Sequence, residues 1–199
     1  MAAKNTEVEL VRIKREQVDV TVKGTAPLIV HRFSEKAKAM MLDAQTSRTR
    51  MKKEPKDPEA LYRESLYTLP DGGYGFPAVG FKASIVGAAR YFEGITMTAL
   101  KSGLFVRGEG PEQLIRITGA PQMREDSVRV GMGTADLRYR GMFPEWSAVL
   151  SVVYIPTMLT LDSVFALVDA GGLGGVGEWR PSAPKSYTGA YGTFEVVES

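Results

Sequence analysis

Between residues 171 and 192 the chain reads GGLGGVGEWRPSAPKSYTGAYG, and no other stretch limits its fold as much. Glycine at this density offers little side chain to a core, so the segment is read as a long, flexible connector over the surface. An apolar helical pattern at Ser163–Asp169 precedes it, and a short strand at Thr193–Val197 follows. Trp179, Arg180, Lys185, Tyr187 and Tyr191 are interleaved in it. Backbone N–H groups, cations and flat rings offered together suit a polymer of phosphates and bases. A plain connector is the competing reading, but it would leave Trp179 and Arg180 in water with nothing to meet. Gly172–Gly177 also matches G-x-G-x-x-G. That fingerprint needs a strand before it and a helix after it, whereas here a helix precedes and Pro181 follows, so a dinucleotide site is excluded.

Upstream, the β-branched alternation of Val18–Val30 predicts a first strand, with Gly24 and Pro27 marking a bend or an edge. Ser34–Arg63 breaks the pattern. SEKAKAMMLDAQ predicts a short helix, while TSRTRMKKEPKDPEAL has no core period and carries Pro55 and Pro58. The span 34–63 is therefore expected to be an insertion, partly helical and partly mobile. Asp71-Gly72-Gly73 predicts a hairpin turn. Phe81, Ile85, Ala88, Ala89 and Phe92 share one face of a helix over Ala78–Phe92. Short strands follow at Gly103–Arg107 and Gln113–Thr118. A hairpin insertion at 120–141 pairs Asp126–Val130 with Leu137–Arg140, and Trp146–Ile155 reads as a central strand. Without the insertions the order is strand, helix, strand, strand, helix, strand. That predicts a single α+β domain over 1–199, a ferredoxin-like or RRM-like antiparallel sheet with two helices on one face.

Composition narrows the chemistry. The chain has 199 residues and is 44% hydrophobic, enough for one domain with a real core. It has no cysteine and one histidine, His31, so disulfides, thiolate metal sites and a Ser-His-Asp triad are not expected. No paired carboxylates stand out, so catalytic residues, metal and cofactor are all expected to be absent. No apolar run nears the ~20 residues that span a bilayer, and the N-terminus lacks a secretory apolar core, so a cytoplasmic protein without a membrane partner is expected. The formal net charge of +2 is too small to coat nucleic acid by charge alone, so placement matters more. Arg48, Arg50, Lys52, Lys53 and Lys56 crowd into RTRMKKEPK, opposed only by Glu54. Such a run is either a solvated loop or a finger that meets phosphates. Arg32 follows the first strand and Lys82 lies in the first turn of the Ala78 helix, both in reach of an anion.

Two motifs carry a resemblance. FPAVGFKASIVGAAR, Phe76–Arg90, resembles the segment that leads into the first helix of the RAMP superfamily, the guide-RNA-binding backbone subunits of CRISPR effector complexes. The glycine-rich 171–192 segment, closed by Gly-Thr-Phe-Glu-Val, is similar to that superfamily's loop before the last strand. The likeness spans most of Val18–Val197. TAPL-x-x-HRFS, Thr25–Ser34, is also similar to a segment of phage-encoded proteins. The resemblance implies a RAMP-like fold and a single-stranded nucleic-acid partner, DNA or RNA, with DNA slightly favoured. It also implies a thumb-like role for the basic insertion and head-to-tail self-assembly into a helical filament. The expected binding residues are Arg32, Arg48, Arg50, Lys52, Lys53, Lys82, Trp179, Arg180, Lys185, Tyr187 and Tyr191. Some relatives cut RNA with an acid after the first strand. Glu35 and Asp43 stand there without the matching context, so a nuclease, a CRISPR effector subunit and an inhibitor that mimics one are the alternatives.

Overall fold

The computed structural model describes residues 10–33, 39, 42, 56–130, 134–184 and 187–197. The helix expected in SEKAKAMMLDAQ lies almost wholly outside them, with only Ala39 and Leu42 described, both helical. Strand β1, Glu16–Gly24, alternates as its sequence demands: Val20 and Val22 are fully buried, Thr21 and Lys23 exposed. It lies between β9, Ser147–Tyr154, and β10, Phe194–Val196, antiparallel to both. The other edge of β9 is shared. β5, Leu104–Arg107, pairs its second half, and β6, Leu114–Thr118, pairs its start. β6 continues the sheet into β4, Tyr74–Pro77, and β3, Tyr67–Thr68.

The order β10-β1-β9-β5, with crossovers through α2 (Ala78–Gly87) and α4 (Leu161–Gly174), is ferredoxin-like. The fold class is therefore as the element order predicts. Both helices lie on the face that carries Val20, Val22, Leu150 and Val152. Phe81 of α2 sits fully buried there, edge-on to Phe76 and Phe194 at ring-centroid distances of 5.8 Å. Trp146 closes this end of the core. Its indole fills the space a Cβ at Gly24 would need, and its Nε1 donates to the Ala26 carbonyl at 2.9 Å.

Several boundaries differ from expectation, each for a local reason. Val18–Val30 is not one strand. After Gly24 the chain bends, and β2, Leu28–Val30, joins a second sheet with β8, Thr134–Phe143, and β7, Gln122–Val130, in the order β2-β8-β7. Thr25 and Ala26 donate to the Thr193 carbonyl across the bend. Pro27, which has no N–H, falls where no ladder needs one. The hairpin is longer than predicted: β7 is Gln122–Val130 and β8 is Thr134–Phe143. Helix α1, Pro58–Ser65, starts where the insertion showed no core period. Asp57 caps it by accepting from Glu59 and Ala60, and Pro58 opens its first turn. It docks on β8 through Ser65, whose hydroxyl accepts from the Gly141 N–H at 2.8 Å. Helix α3, Met97–Gly103, was not anticipated; Thr96 caps it by accepting from Ala99. The predicted Ala78–Phe92 helix is α2 followed by a 3-10 turn, Ala88–Tyr91.

The largest correction concerns the glycine-rich stretch. Its first residues, Gly171–Gly174, are the last turn of α4 rather than loop. Gly171 and Gly172 are buried where α4 passes against Ile85 and Phe194, tightly at Gly171 and with no room for a methyl at Gly172.

Candidate nucleic-acid interface

The described remainder of the glycine-rich stretch, 175–184 and 187–192, is tied to its surroundings by backbone hydrogen bonds. The Val176 N–H donates to the Gly192 carbonyl at 2.9 Å, Gly192 to Pro27 at 2.8 Å, Glu178 to Ile29 at 2.9 Å and Ser182 to Gly174 at 3.0 Å. Gly177 and Gly192 have φ of 79° and 68°, in the left-handed region, and backbone carbonyls stand where a Cβ would go. Trp179 shares that conformation at φ 54° without being glycine, a strain of about 1–2 kcal/mol that its neighbours hold in place.

Between this segment and α2 lies a groove of about 430 Å³. One wall is built from Gly80, Ala83, Ser84 and Gly87, which share a face of α2 by helical spacing. Arg90, Tyr91, Arg180 and Ser182 line the groove as well. Arg90 is fixed by its Nε, which donates to the Gly87 carbonyl at 2.8 Å, and its guanidinium lies 6.0 Å from the Tyr91 ring centre. Arg180 donates to the Gly177 carbonyl at 2.8 Å. Tyr91 is 55% exposed, a flat ring at the groove mouth.

The sequence-selected residues scatter around this groove. Arg180 lines it. Tyr187 is fully exposed. Trp179 and Tyr191 meet edge-on at 6.0 Å and turn their rings toward Arg124 of β7, whose guanidinium lies 5.1 Å and 4.9 Å from their centres. They hold the hairpin to the glycine-rich segment. Lys82 points to the far side of α2. Its Nζ donates to the Lys101 carbonyl at 2.9 Å and sits 4.0 Å over the Phe105 ring, and burial lowers its pKa. Arg32 pairs with Glu112 at 2.9 Å. Arg48, Arg50, Lys52, Lys53 and Lys185, together with Glu35 and Asp43, lie outside the described residues.

Arg90, Tyr91, Arg124 and Arg140 were missed. Arg90 ends the FPAVGFKASIVGAAR motif, three residues beyond Gly87, so helical spacing alone puts it on the small-residue face. Arg140 had no such signal. It is 2% exposed, held between Asp126 at 3.4 Å and Glu178 at 3.8 Å, and burial lowers its pKa despite both carboxylates.

His31 also lines the groove near this cluster, and its buried Nδ1 has no hydrogen-bond partner among the described residues. Burial, then the Arg140 charge, lowers its pKa; Glu178 opposes and Arg138 adds to the lowering. The fold therefore favours neutral imidazole, and the unfolded chain binds the extra proton. Stability from this residue is complete above the unfolded value, near 6.5, and is lost as pH falls from there through the folded value. We expect urea midpoints to drop from pH about 7 toward 5, with the drop smaller in His31→Gln.

No family model matches the chain, and no curated protein matches it. Among solved structures it is similar to a chain of the type III-B Cmr-beta bound to cognate target RNA, at 11% identity and a TM-score of 0.47. That match covers 93% of this chain, which spans 60% of the other. It is also similar to Cmr6 from Pyrococcus furiosus, at 10% identity and a TM-score of 0.41, covering 94% of this chain and all of that one.

Proposed function

We propose that this chain binds single-stranded nucleic acid in the groove between α2 and the glycine-rich segment, without strong sequence preference and without catalysis. One observation carries the reading: the small residues of α2, Arg90, Arg180 and the exposed Tyr91 ring line one groove. A sugar-phosphate backbone lies against the glycine and alanine wall, the guanidinium groups neutralise phosphates, and Tyr91 and Tyr187 stack on bases. Trp179 and Tyr191 support the rim rather than touch the ligand. The phage-type resemblance of Thr25–Ser34 favours DNA over RNA. The RAMP-like motifs and the basic 34–63 span support head-to-tail packing of copies along a strand, which would make an open filament.

Fluorescence-anisotropy titration of labelled 30-mer single-stranded DNA, RNA and duplex, at low and physiological salt, tests this. Tight, salt-sensitive, length-dependent binding to one single strand is the expected result. Absence of binding to all three at low salt refutes it, and cleavage of the bound strand with magnesium present refutes the non-catalytic part. The variants sharpen the test. Arg90→Ala/Arg180→Ala should lower the slope of log affinity against log salt by roughly 0.7 per lost phosphate contact. Tyr91→Ala should cost about 1–3 kcal/mol of binding. Lys82→Ala, on the far side of α2, should bind as wild type does.

A further inference from the structure

The described N-terminal residues form an arm with no cover of its own. Leu10, Val11 and Ile13 are 89%, 84% and 66% exposed, followed by Lys14 and Arg15, and the arm runs straight into β1. Apolar side chains this bare ahead of a strand need a surface. β1 offers one. β10 pairs only Val22–Gly24, and its last contact is the Val197 N–H donating to the Thr21 carbonyl. Strand groups alternate sides every two residues, so the N–H and C=O groups of Gln17 and Asp19 point to that same edge. Among the described residues no strand covers them there.

We propose that two copies of this chain exchange arms, each arm adding an antiparallel strand to the free edge of the other's β1. The pairing is self-complementary about a two-fold axis at Arg15. Residues 11 and 13 then meet 19 and 17 as hydrogen-bonded pairs, because all four present their backbone groups to the same edge. Side chains fall on matching faces. Leu10 lies beside Val20 on the face that α4 covers, and Lys14 faces Glu16, whose carboxylate already accepts from the Tyr154 hydroxyl at 2.9 Å. Arm residues Arg12 and Lys14 meet a side of the molecule rich in acids. α4, which covers the face these two side chains share with Val20, carries Asp162 and Asp169 and no Lys or Arg. The arm cannot reach its own edge, since it leaves β1 at Glu16 in the direction of the strand. The contact closes on itself, unlike head-to-tail packing, and forms without nucleic acid.

The chain has no cysteine, so single cysteines report the contact cleanly. Sedimentation equilibrium of the full chain without nucleic acid should give a dimer that dissociates on dilution. Under mild oxidation Arg15→Cys should cross-link to doubled mass, because a hydrogen-bonded pair holds its Cα atoms ~5.5 Å apart, within disulfide reach. Lys23→Cys, where β10 already covers the edge, should not. Asp19→Pro removes only the outward N–H of β1 and should leave a folded monomer. A wild-type monomer at all concentrations overturns the proposal, and so does a dimer in which Arg15→Cys cross-links no faster than Lys23→Cys. Neither result bears on the groove, because no nucleic acid is present.

Discussion

Gly172→Ala should destabilise the protein by about 3 kcal/mol, against the direction of helix propensity. In an open helix this change is favourable by nearly 1 kcal/mol, because alanine loses less backbone freedom. Here a methyl at residue 172 would overlap the carbonyl oxygen of Phe194, so α4 and β10 must move apart. β10 cannot yield cheaply, because the Phe194 ring packs on Phe81 and Trp146 and its strand pairs with β1. Gly174→Ala is the control. Its nearest neighbour, the Ser182 side chain, lies 3.6 Å from the new methyl, an ordinary contact. That variant should be stabilised by about 0.5–1 kcal/mol. Urea unfolding of both reads the difference directly. A Gly172→Ala midpoint at or above the wild-type value would show that α4 does not press on β10.

Asp126→Ala is expected to cost about 3–5 kcal/mol. Asp126 is 3% exposed and receives Arg124 Nε at 2.8 Å and Arg140 Nη1 at 3.4 Å. Removing it leaves Arg140 in the interior with Glu178, at 3.8 Å, as its one counter-charge among the described residues. Most of the penalty comes from that stranded guanidinium rather than from the lost attraction. Asp126→Ala/Arg140→Met should therefore recover more than half of the loss, since an apolar side chain of similar length needs no partner. The single variant should also free Arg124 and change the near-ultraviolet dichroism of Trp179. A double variant no more stable than the single would mean that the Asp126 contacts, not the buried charge, set the cost.

The ferredoxin-like order was legible because periodicity records burial. Val20 and Val22 alternate with Thr21 and Lys23, and Phe81 and Ile85 recur at helical spacing. What escaped depends on contacts between distant segments. Nothing near Val18–Val30 says that Thr193 will capture the bend or that β2 will leave for another sheet. Gly171–Gly174 read as loop because glycine disfavours helices, yet close packing against Phe194 makes glycine the residue α4 requires at 172, and Ile85 presses on 171. At the site, composition drew attention to every ring and cation in the 171–192 stretch and could not tell ligand-facing groups from structural ones. Trp179 and Tyr191 face Arg124, which lies more than fifty positions upstream of either. Arg90 was within reach of sequence reasoning, since the small residues at 80, 83, 84 and 87 already define the face it extends.

The bend at Thr25–Pro27 is held from the far end of the chain. Thr25 and Ala26 donate to Thr193, and Pro27 accepts from Gly192. A polypeptide growing from its amino end therefore carries its first strand, both helices and the hairpin before the residues that lock them together exist. Until β10 clears the ribosome, one edge of β1 has no neighbour and the groove has only its helical wall. Closure between segments so far apart in sequence slows folding and leaves apolar surface waiting. Synthesis order thus leaves the proposed groove without its second wall until the residues around Gly192 and Thr193 have been made.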